Sequence, residues 1–564
     1  MKGPALIECV PNFSEGRDME IIRQITDEIE SVEGIKLLDV DPGKATNRTV
    51  VTFVGPPDEV VQAAYLAIKK ASELIDMSKH SGEHPRMGAT DVCPLVPVAN
   101  ISMEEVRAYA HKLGELAGSN LDIPFFMYEE AATKEERRNL ATVRAGEYEG
   151  LPEKLALPEW KPDYGPAKFN AKAGATAIGA RDFLIAYNVN LNTTSTRRAN
   201  SVAFDVREKG RVKREGDPIT GTIVRDEHGE PVRESGACKG VKGIGWYIEE
   251  YGIAQISMNI TKIKDTPLHE AFEACRKSAA SRGLRVTGSE LVGLVPKKVM
   301  LDAGKYFLKQ QQRSVGVSEE EIIKIAVKSM GLDELSDFDP KKKIIEYMLE
   351  EENPRPLIQM SLTAFSNETA SESPAPGGGS ISAYVGSLGA ALSTMVANLS
   401  SHKRGWDDRW EEFSADAEKG QSIKDRLNHL VDEDTQAFNA IITAFRMPKS
   451  NAQEKEARAA AIEAATKFAI EVPYQILKTS MEIFPLAMDM VERGNPNSVT
   501  DAGVGALCAR TAAHGAFMNM KVNAADLKDQ HYATKVLEEG MQLLEQADEW
   551  EERIRTAVYQ TIDS

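Results

Sequence analysis

Between Met77 and Pro94 the sequence reads MSKHSGEHPRMGATDVCP, and it gathers Lys79, His80, Glu83, His84, Arg86 and Asp91 into one short stretch. Histidine titrates near neutrality, where one side chain can take a proton and return it. Gly82, Pro85 and Gly88 interrupt the stretch, so it does not run as a regular helix. His80 and His84 therefore do not share a helical face as paired zinc ligands do, and no third ligand is obvious. A turn of solvated charges fits these residues. A catalytic loop between a helix and a strand fits them equally.

Two other stretches belong with this one. LLDVDPG puts Asp39 and Asp41 at the end of a strand, where a carboxylate can orient a histidine, and Asp-Pro-Gly is also a plain turn signal. TNRTV follows with Asn47 and Arg48. VPNFSEG sets Asn12, Ser14 and Glu15 at a strand-to-helix junction, where serine or glutamate can simply cap the helix.

Further on, QSIKDRLNHLVDEDTQAFNAIITAF carries an apolar stripe of Ile423, Leu427, Leu430, Phe438, Ile441 and Phe445. Asp434 falls on that stripe. An acid there costs stability unless it is paired or functional, and such a group often titrates high enough to act as an acid or base. Asp432 is roughly 200° round the helix and faces elsewhere. The structural alternative is a buried acid satisfied by a partner. SESPAPGGGS reads as a linker by composition, yet ISAYVGSLGAALSTMVANL follows at once with small and apolar residues at helical spacing. A glycine loop opening a buried helix can present N–H groups to an anion. No GK[ST] follows, so it is not a P-loop. Gly240, Gly243 and Gly245 are weaker signals of the same kind.

The elements that must hold these residues divide near residue 360. The first 360 residues contain 20 of the 26 prolines; the remaining 204 contain 6, with 32 alanines, which favours long helices. Before that point, short β-branched runs alternate with amphipathic stretches. Strands are expected at Leu6–Val10, Ile35–Val40, Thr49–Val54 and Val92–Val98, the last an edge strand because of Pro94 and Pro97. Helices are expected over 17–32 and 60–75. The order is β-α-β-β-α-β, and it recurs after residue 182 in FLIAYNVNL, STRRANSVAFDVREKG, GIGWYIEE, AQISMNITK, PLHEAFEACRKSAAS and LRVTGSELVGLVP. A duplicated unit leaves a cleft between its halves. Arg207–Gly240 is polar and glycine-rich, a long insertion or a mobile loop.

Composition bounds the function. The 564 residues hold 68 basic and 86 acidic side chains, a net charge of -18, which excludes a general nucleic-acid binder. A local basic patch can still serve a small anion. Five widely spaced cysteines without a CxxC pair indicate neither a disulfide scaffold nor a zinc ribbon. MKGPALIECVPNFSEG lacks a signal-peptide core, and no run approaches the ~18 apolar residues of a membrane span. A reducing, cytoplasmic setting without membrane contact is expected.

Taken together, ECVPNFSEG, LLDVD, TNRTV, TFVGPP, IDMSKHSGEHPRMGATDVCP, RAGEYEGLPEKL, GARDFLIAYNVNL, KGIGWY and SELVGLVP resemble the formimidoyltransferase-cyclodeaminase family, the bifunctional folate enzymes of histidine degradation. PAPGGGS, DEDTQAF and GNPNSVTDAGVGAL extend the resemblance to the C-terminus. The insertion between about Val212 and Gly240 departs from it.

The resemblance implies an α+β N-terminal half of two ferredoxin-like subdomains, 1–182 and 183–345, a linker at 346–358, and an all-α helical-bundle cyclodeaminase domain at 359–564. It implies transfer of a formimino group from N-formimino-L-glutamate to tetrahydrofolate, then closure of 5-formiminotetrahydrofolate to 5,10-methenyltetrahydrofolate with release of ammonia. The family's catalytic histidine falls on His84 and its carboxylate neighbour on Asp41. The folate-contacting stretch falls on Gly165, Pro166, Ala167, Lys168, Phe169, Asn170, Ala171, Lys172, Ala173 and Gly174. The cyclodeaminase acid falls on Asp432 or Asp434, and the stripe favours Asp434. Arg48 and Arg86 are candidates for the substrate carboxylates. Tetrahydrofolate, polyglutamylated, is the expected co-substrate, with no metal or redox cofactor, and the expected assembly is a homo-oligomeric ring of dimers. An inactive helical scaffold beside a working transferase is the alternative, and a folate-binding protein without turnover is a second.

Overall fold

A computed structural model describes residues 5–44, 46–82, 85–216, 221–349, 357–525 and 527–563. The chain forms two compact units, Met1–Met300 with Met330–Glu350, and Leu301–Ser329 with Glu351–Ser564.

In the first unit, β1 (Leu6–Cys9) and β2 (Asn12–Phe13) are followed by α1 (Met19–Glu30), β3 (Lys36–Gly43), β4 (Arg48–Gly55), α2 (Pro57–Leu74) and β5 (Thr90–Ala99). The expected β-α-β-β-α-β order is present. It continues into α3 (Met103–Asn120), β6 (Phe125–Glu129), the short helices α4 (Leu140–Arg144) and α5 (Leu151–Ala156), and β7 (Thr176–Ala180). β4 lies between β3 and β1, β5 pairs with β1 and β2, and β7 and β6 add beyond β5 in parallel. Ile7, Cys9, Phe13, Val51, Phe53, Cys93 and Leu95 alternate inward against α1, α2 and α3. Residues between them face the other side.

Two expectations about proline need correction. β5 is interior rather than an edge strand. The Pro94 carbonyl accepts the Val10 N–H at 3.1 Å, so its missing donor faces the break between β1 and β2. Pro97 stands opposite Ile7, beside a register shift. Each proline thus sits where the ladder is already irregular. Conversely, the Asp-Pro-Gly after Val40 makes no turn: β3 runs on through Asp41, Pro42 and Gly43, paired with Val50, Thr49 and Arg48. β3 pairs with β4 alone, and an edge strand tolerates proline.

The second sheet repeats the strand order. β8 (Ile185–Leu191) leads to α6 (Thr196–Val206) and then to the insertion, where β9 (Arg211–Val212) pairs with β12 (Arg233–Glu234) and β10 (Arg214–Glu215) with β11 (Thr222–Ile223). β13 (Val241–Ile248), β14 (Ile253–Ile260), α7 (Leu268–Ala280) and β15 (Val286–Val292) complete an antiparallel sheet ordered β13-β14-β8-β15. Glu129 at the end of β6 interacts with Lys242 of β13, so the two subdomains meet there. Helices α8 (Lys297–Gln310), α9 (Glu319–Met330), α10 (Pro340–Lys343) and α11 (Ile345–Leu349) follow.

The rest is helical: α12 (Leu362–Thr369), α13 (Gly378–Ser401), α14 (Trp410–Arg446), α15 (Ala452–Met481), α16 (Ile483–Arg493), α17 (Val499–Ala524) and α18 (Gln530–Asp563). α13 packs chiefly against α14 and α17. Its small residues admit close neighbours; a Cβ on Gly389 would stand 2.7 Å from the Gly505 carbonyl oxygen of α17. Contrary to the expectation from sequence, α13 is long and apolar enough by length and composition to cross a membrane, with 61% of its apolar window buried inside the protein. Glycine, serine and alanine dilute its apolar character when read residue by residue.

Candidate active sites

The stretch after α2 is a loop, as its glycines and proline require, and it is held at both shoulders. On one side, the Asn47 Nδ2 donates to the Ser81 carbonyl at 3.0 Å, and its Oδ1 accepts the Gly16 N–H at 3.1 Å. Asn47 adopts φ +48°, a left-handed conformation asparagine tolerates. Gly82 packs so closely that a Cβ would lie 2.2 Å from the Thr46 carbonyl oxygen. On the other side, the Arg86 guanidinium donates to Glu149 at 2.6 and 2.9 Å and to Glu147 at 3.1 Å. His84 and Glu83, between these shoulders, lie outside the described residues.

His80 is part of the frame. Its Nε2 meets the Asn47 carbonyl at 2.9 Å, and its Nδ1 accepts from Arg86 Nε at 3.4 Å. Both ring nitrogens are occupied, with the proton on Nε2. Arg86 is therefore committed to Glu147, Glu149 and His80, which corrects its expected role as a substrate-carboxylate ligand. Glu147 and Glu149 were not singled out from the sequence; their only signal is the acidic RAGEYEG stretch. Ser14 Oγ donates to the Gly88 carbonyl at 2.7 Å, and Glu15 accepts the Arg17 and Asp18 N–H groups at the start of α1. These two do frame and capping work.

Asp41 and Arg48 lie on the face of the first sheet opposite α1, α2 and α3, the face against which α4 and α5 also pack. Asp41 is opposite Val50, two residues along from Arg48. Burial holds the Arg48 guanidinium below its usual range; Asp91 and Asp41 oppose that, and Arg144 adds to it. Asp91 is fully buried, accepts the Met87 N–H at 3.1 Å and pairs with Arg144. The Asp39 carboxyl is raised by burial and by neighbouring Asp41. This face thus offers cations and carboxylates side by side, as a substrate with charges of both signs needs.

Residues 165–174 form a loop stitched to the same region. The Met77 N–H donates to the Lys172 carbonyl and the Ala89 N–H to the Ala173 carbonyl, each at 2.8 Å. Gly165 and Gly174 have φ +76° and +67°. Asn170 closes the turn: its Oδ1 accepts the Lys172 and Ala173 N–H groups at 3.1 and 2.9 Å. Tyr148 bridges the two loops, donating its N–H to the Arg86 carbonyl at 2.9 Å, meeting the Phe169 ring at a tilt with centroids 5.4 Å apart, and donating its hydroxyl to the Ala171 carbonyl at 2.6 Å. Pro166, Ala167 and Lys168 occupy the outer part of the loop, with Ala167 and Lys168 exposed.

In the helical unit, Asp434 of α14 meets the first turn of α13. Its Oδ2 accepts the Ser380 N–H at 2.8 Å and the Ser380 hydroxyl at 3.0 Å. Burial raises its carboxyl above the usual range, and the two Ser380 bonds oppose that. Asp432 points elsewhere and accepts the Leu357 N–H at 2.8 Å. The stripe itself is only half a core. Ile423, Leu427 and Leu430 are buried, whereas Phe438 and Phe445 are 38% and 54% exposed. Asp434 stands where the stripe leaves the interior, half-buried and reachable. A carboxyl so placed can hold a proton and hand it on.

Comparison with known proteins divides the chain at the same features. The family model for the Formiminotransferase domain, N-terminal subdomain, matches residues 6–181; the Formiminotransferase domain matches 186–350; and Formiminotransferase-cyclodeaminase matches 361–542. A formimidoyltransferase-cyclodeaminase of Gallus gallus is 42% identical over 543 residues, 96% of each chain. A glutamate formimidoyltransferase of Streptococcus pyogenes serotype M1 is 41% identical over 303 residues, 54% of this chain and 93% of its own. A methenyltetrahydrofolate cyclohydrolase of Methylorubrum extorquens is 36% identical over 204 residues, 36% of this chain and 96% of its own. With two separate carboxylate-bearing sites and identity running through nearly its whole length, the chain belongs to the formimidoyltransferase-cyclodeaminase family.

Proposed function

We propose that the first unit transfers the formimino group of N-formimino-L-glutamate to tetrahydrofolate, and that the helical unit then closes 5-formiminotetrahydrofolate to 5,10-methenyltetrahydrofolate, releasing ammonia. The observation that carries the pairing is a raised carboxyl, Asp434, at the mouth of a glycine-opened helix in the same chain as an ionisable loop framed by Asn47 and Arg86.

In the transfer, a nitrogen of the folate attacks the formimino carbon and the glutamate nitrogen departs. His84 takes the first proton and returns it to the leaving nitrogen, with Asp41 holding the ring. Arg48 receives a substrate carboxylate. The loop from Gly165 to Gly174 holds the folate, which enters in its polyglutamylated form. In the second step the other folate nitrogen attacks the same carbon, and Asp434 supplies the proton with which ammonia leaves. Neither step calls for a metal or redox cofactor. We assign the transferase to 1–182 and 183–345, a linker to 346–358 and the cyclodeaminase to 359–564, in a cytoplasmic homo-oligomer built from dimers. Exposed Leu388, Leu399, Val504 and Leu507 on α13 and α17 support self-association.

A coupled assay tests the reading. Tetrahydrofolate and formiminoglutamate are supplied, and methenyl-folate absorbance and free ammonia are followed together. Wild type gives both products, His84→Ala gives neither, and Asp434→Asn accumulates formimino-folate. Transfer without any ammonia from the wild type would make the helical unit a scaffold.

A further inference from the structure

Lys154, on α5, is a buried cation that the sites described above do not use. It is 8% exposed and meets no carboxylate among the described residues. Its three ammonium protons match three carbonyl oxygens instead: Val143 at 2.6 Å, Ala145 at 3.0 Å and Thr142 at 3.2 Å. These carbonyls belong to the end of α4 and the residue after it. The Trp160 ring covers the ammonium, with Nζ 3.9 Å from its centroid. A five-residue helix does not hold itself together, and its last carbonyls have no partner within it. A cation at that end supplies both the missing donors and the charge the helix end favours.

What α4 carries gives this cap its meaning. Arg144, its last residue, pairs with both oxygens of the fully buried Asp91, its Nε standing 3.3 Å from Oδ1. The same Oδ1 accepts the Met87 N–H at 3.1 Å, three residues after His84 in the chain. Past Ala145 the backbone turns through Gly146 and Glu147, with φ +88° and +53°. A glutamate seldom adopts that left-handed conformation and keeps it only where its surroundings impose it. The turn delivers Glu147 and Glu149 to the Arg86 guanidinium and the Tyr148 N–H to the Arg86 carbonyl. Lys154 thus grips the backbone on both sides of Arg144, immediately before the turn that holds Arg86.

We infer that Lys154 is a positioning residue for formimino transfer: by tying down the end of α4 it keeps Arg144 on Asp91, and Glu147 and Glu149 on Arg86, and so holds the stretch after His84 from two sides. This rests on the transferase reading above. The hold depends on a proton. Burial and the nearby Arg137, itself paired with Asp163 at 2.6 Å, push the Lys154 ammonium down to about 8. The other charged groups on the elements around it do not offset this: Arg144 is paired with Asp91, Glu147 and Glu149 with Arg86, and Glu153 and Glu159 are exposed. As the free amine, Lys154 has two N–H donors and a lone pair for three carbonyls. At least one carbonyl then loses its donor, and the end of α4 loosens. Transfer should therefore weaken as pH rises through about 8.

The test follows kcat/KM for formimino transfer to tetrahydrofolate from about pH 6.5 to 9.5, using the full chain. Ammonia release from supplied formimino-folate is the control at each pH. Wild type should lose transfer roughly tenfold along an alkaline limb, a displacement smaller than the ~1 Å that costs about 100-fold. Lys154→Met keeps the apolar stem and removes the donors. It should run roughly tenfold below wild type near neutrality, lack the limb, and release ammonia as wild type does. Should Lys154→Met not fold, Lys154→Arg decides: its guanidinium stays charged throughout, so the limb must vanish or move up. No limb in wild type, or a limb at the wild-type position in either variant, would overturn the inference. A lowered melting temperature with that profile unchanged would leave Lys154 a structural cap. Wild type without formimino transfer at any pH would overturn the transferase reading as well, which sets that failure apart.

Discussion

Ser380 gives both its backbone N–H and its hydroxyl to one oxygen of Asp434, at 2.8 and 3.0 Å. The other oxygen faces Gly379, where a Cβ would stand 2.0 Å away. The opening turn of α13 is thus shaped around one carboxylate: two donors fix one oxygen, and the absence of a side chain leaves room for the other.

Gly379→Ala should displace Asp434 without touching the first unit. A misplacement of about 1 Å at a reacting group costs on the order of 100-fold. Ammonia release should fall by that order while formimino transfer persists, and formimino-folate should accumulate in the coupled assay. Unchanged ammonia release would show that Asp434 does not work from this position.

Ser380→Ala tests the proton affinity rather than the position. Burial raises the Asp434 carboxyl, and the Ser380 bonds, made to its ionised form, pull it back down. Removing the hydroxyl takes away part of the lowering, so the carboxyl rises further and stays protonated to higher pH. If Asp434 acts as the acid, the alkaline limb of the ammonia-release profile moves up in Ser380→Ala. A shift downward, or a uniform loss at every pH, would count against the acid role.

Asp434 was legible in the sequence because a helix repeats every 3.6 residues, and an acid on an apolar stripe breaks the repeat visibly. The α+β order was legible for the same local reason. What the sequence hid is long-range. Nothing local to GEHPRMG announces that Arg86 is taken by Glu147 and Glu149, some sixty residues on, or that His80 closes onto Asn47. Pro42, Pro94 and Pro97 misled because their meaning depends on which neighbouring strand is already irregular. The α13 composition misled because small residues mask a long apolar helix.

Arg86→Lys should injure transfer more than stability. Glu147 and Glu149 are 43% and 64% exposed, so the ion pairs themselves contribute only about 1 kcal/mol. The planar fork, however, reaches two carboxylates and the His80 ring at once, and an ammonium cannot reproduce that geometry. Formimino transfer should drop at least roughly tenfold, with ammonia release from supplied formimino-folate intact and the melting profile nearly unmoved. Wild-type transfer in Arg86→Lys would mean the loop needs no clamp.

Glu8 offers a stability measurement independent of turnover. Its carboxyl is pushed up to about 7 by burial, against the smaller pull of Arg181. A raised folded-state value means the protonated form is preferred on folding. The associated stability is fully present below the unfolded value, 4.5, and is lost as pH rises through about 7. The difference corresponds to about 3 kcal/mol across that window. Urea unfolding of the first unit should therefore weaken from pH 4.5 to 7.5 more in wild type than in Glu8→Gln, whose amide does not titrate. Parallel pH dependence in the two proteins would show that Glu8 is ionised and paired in the folded state, and that the sheet face opposite α1, α2 and α3 is wetter than its burial indicates.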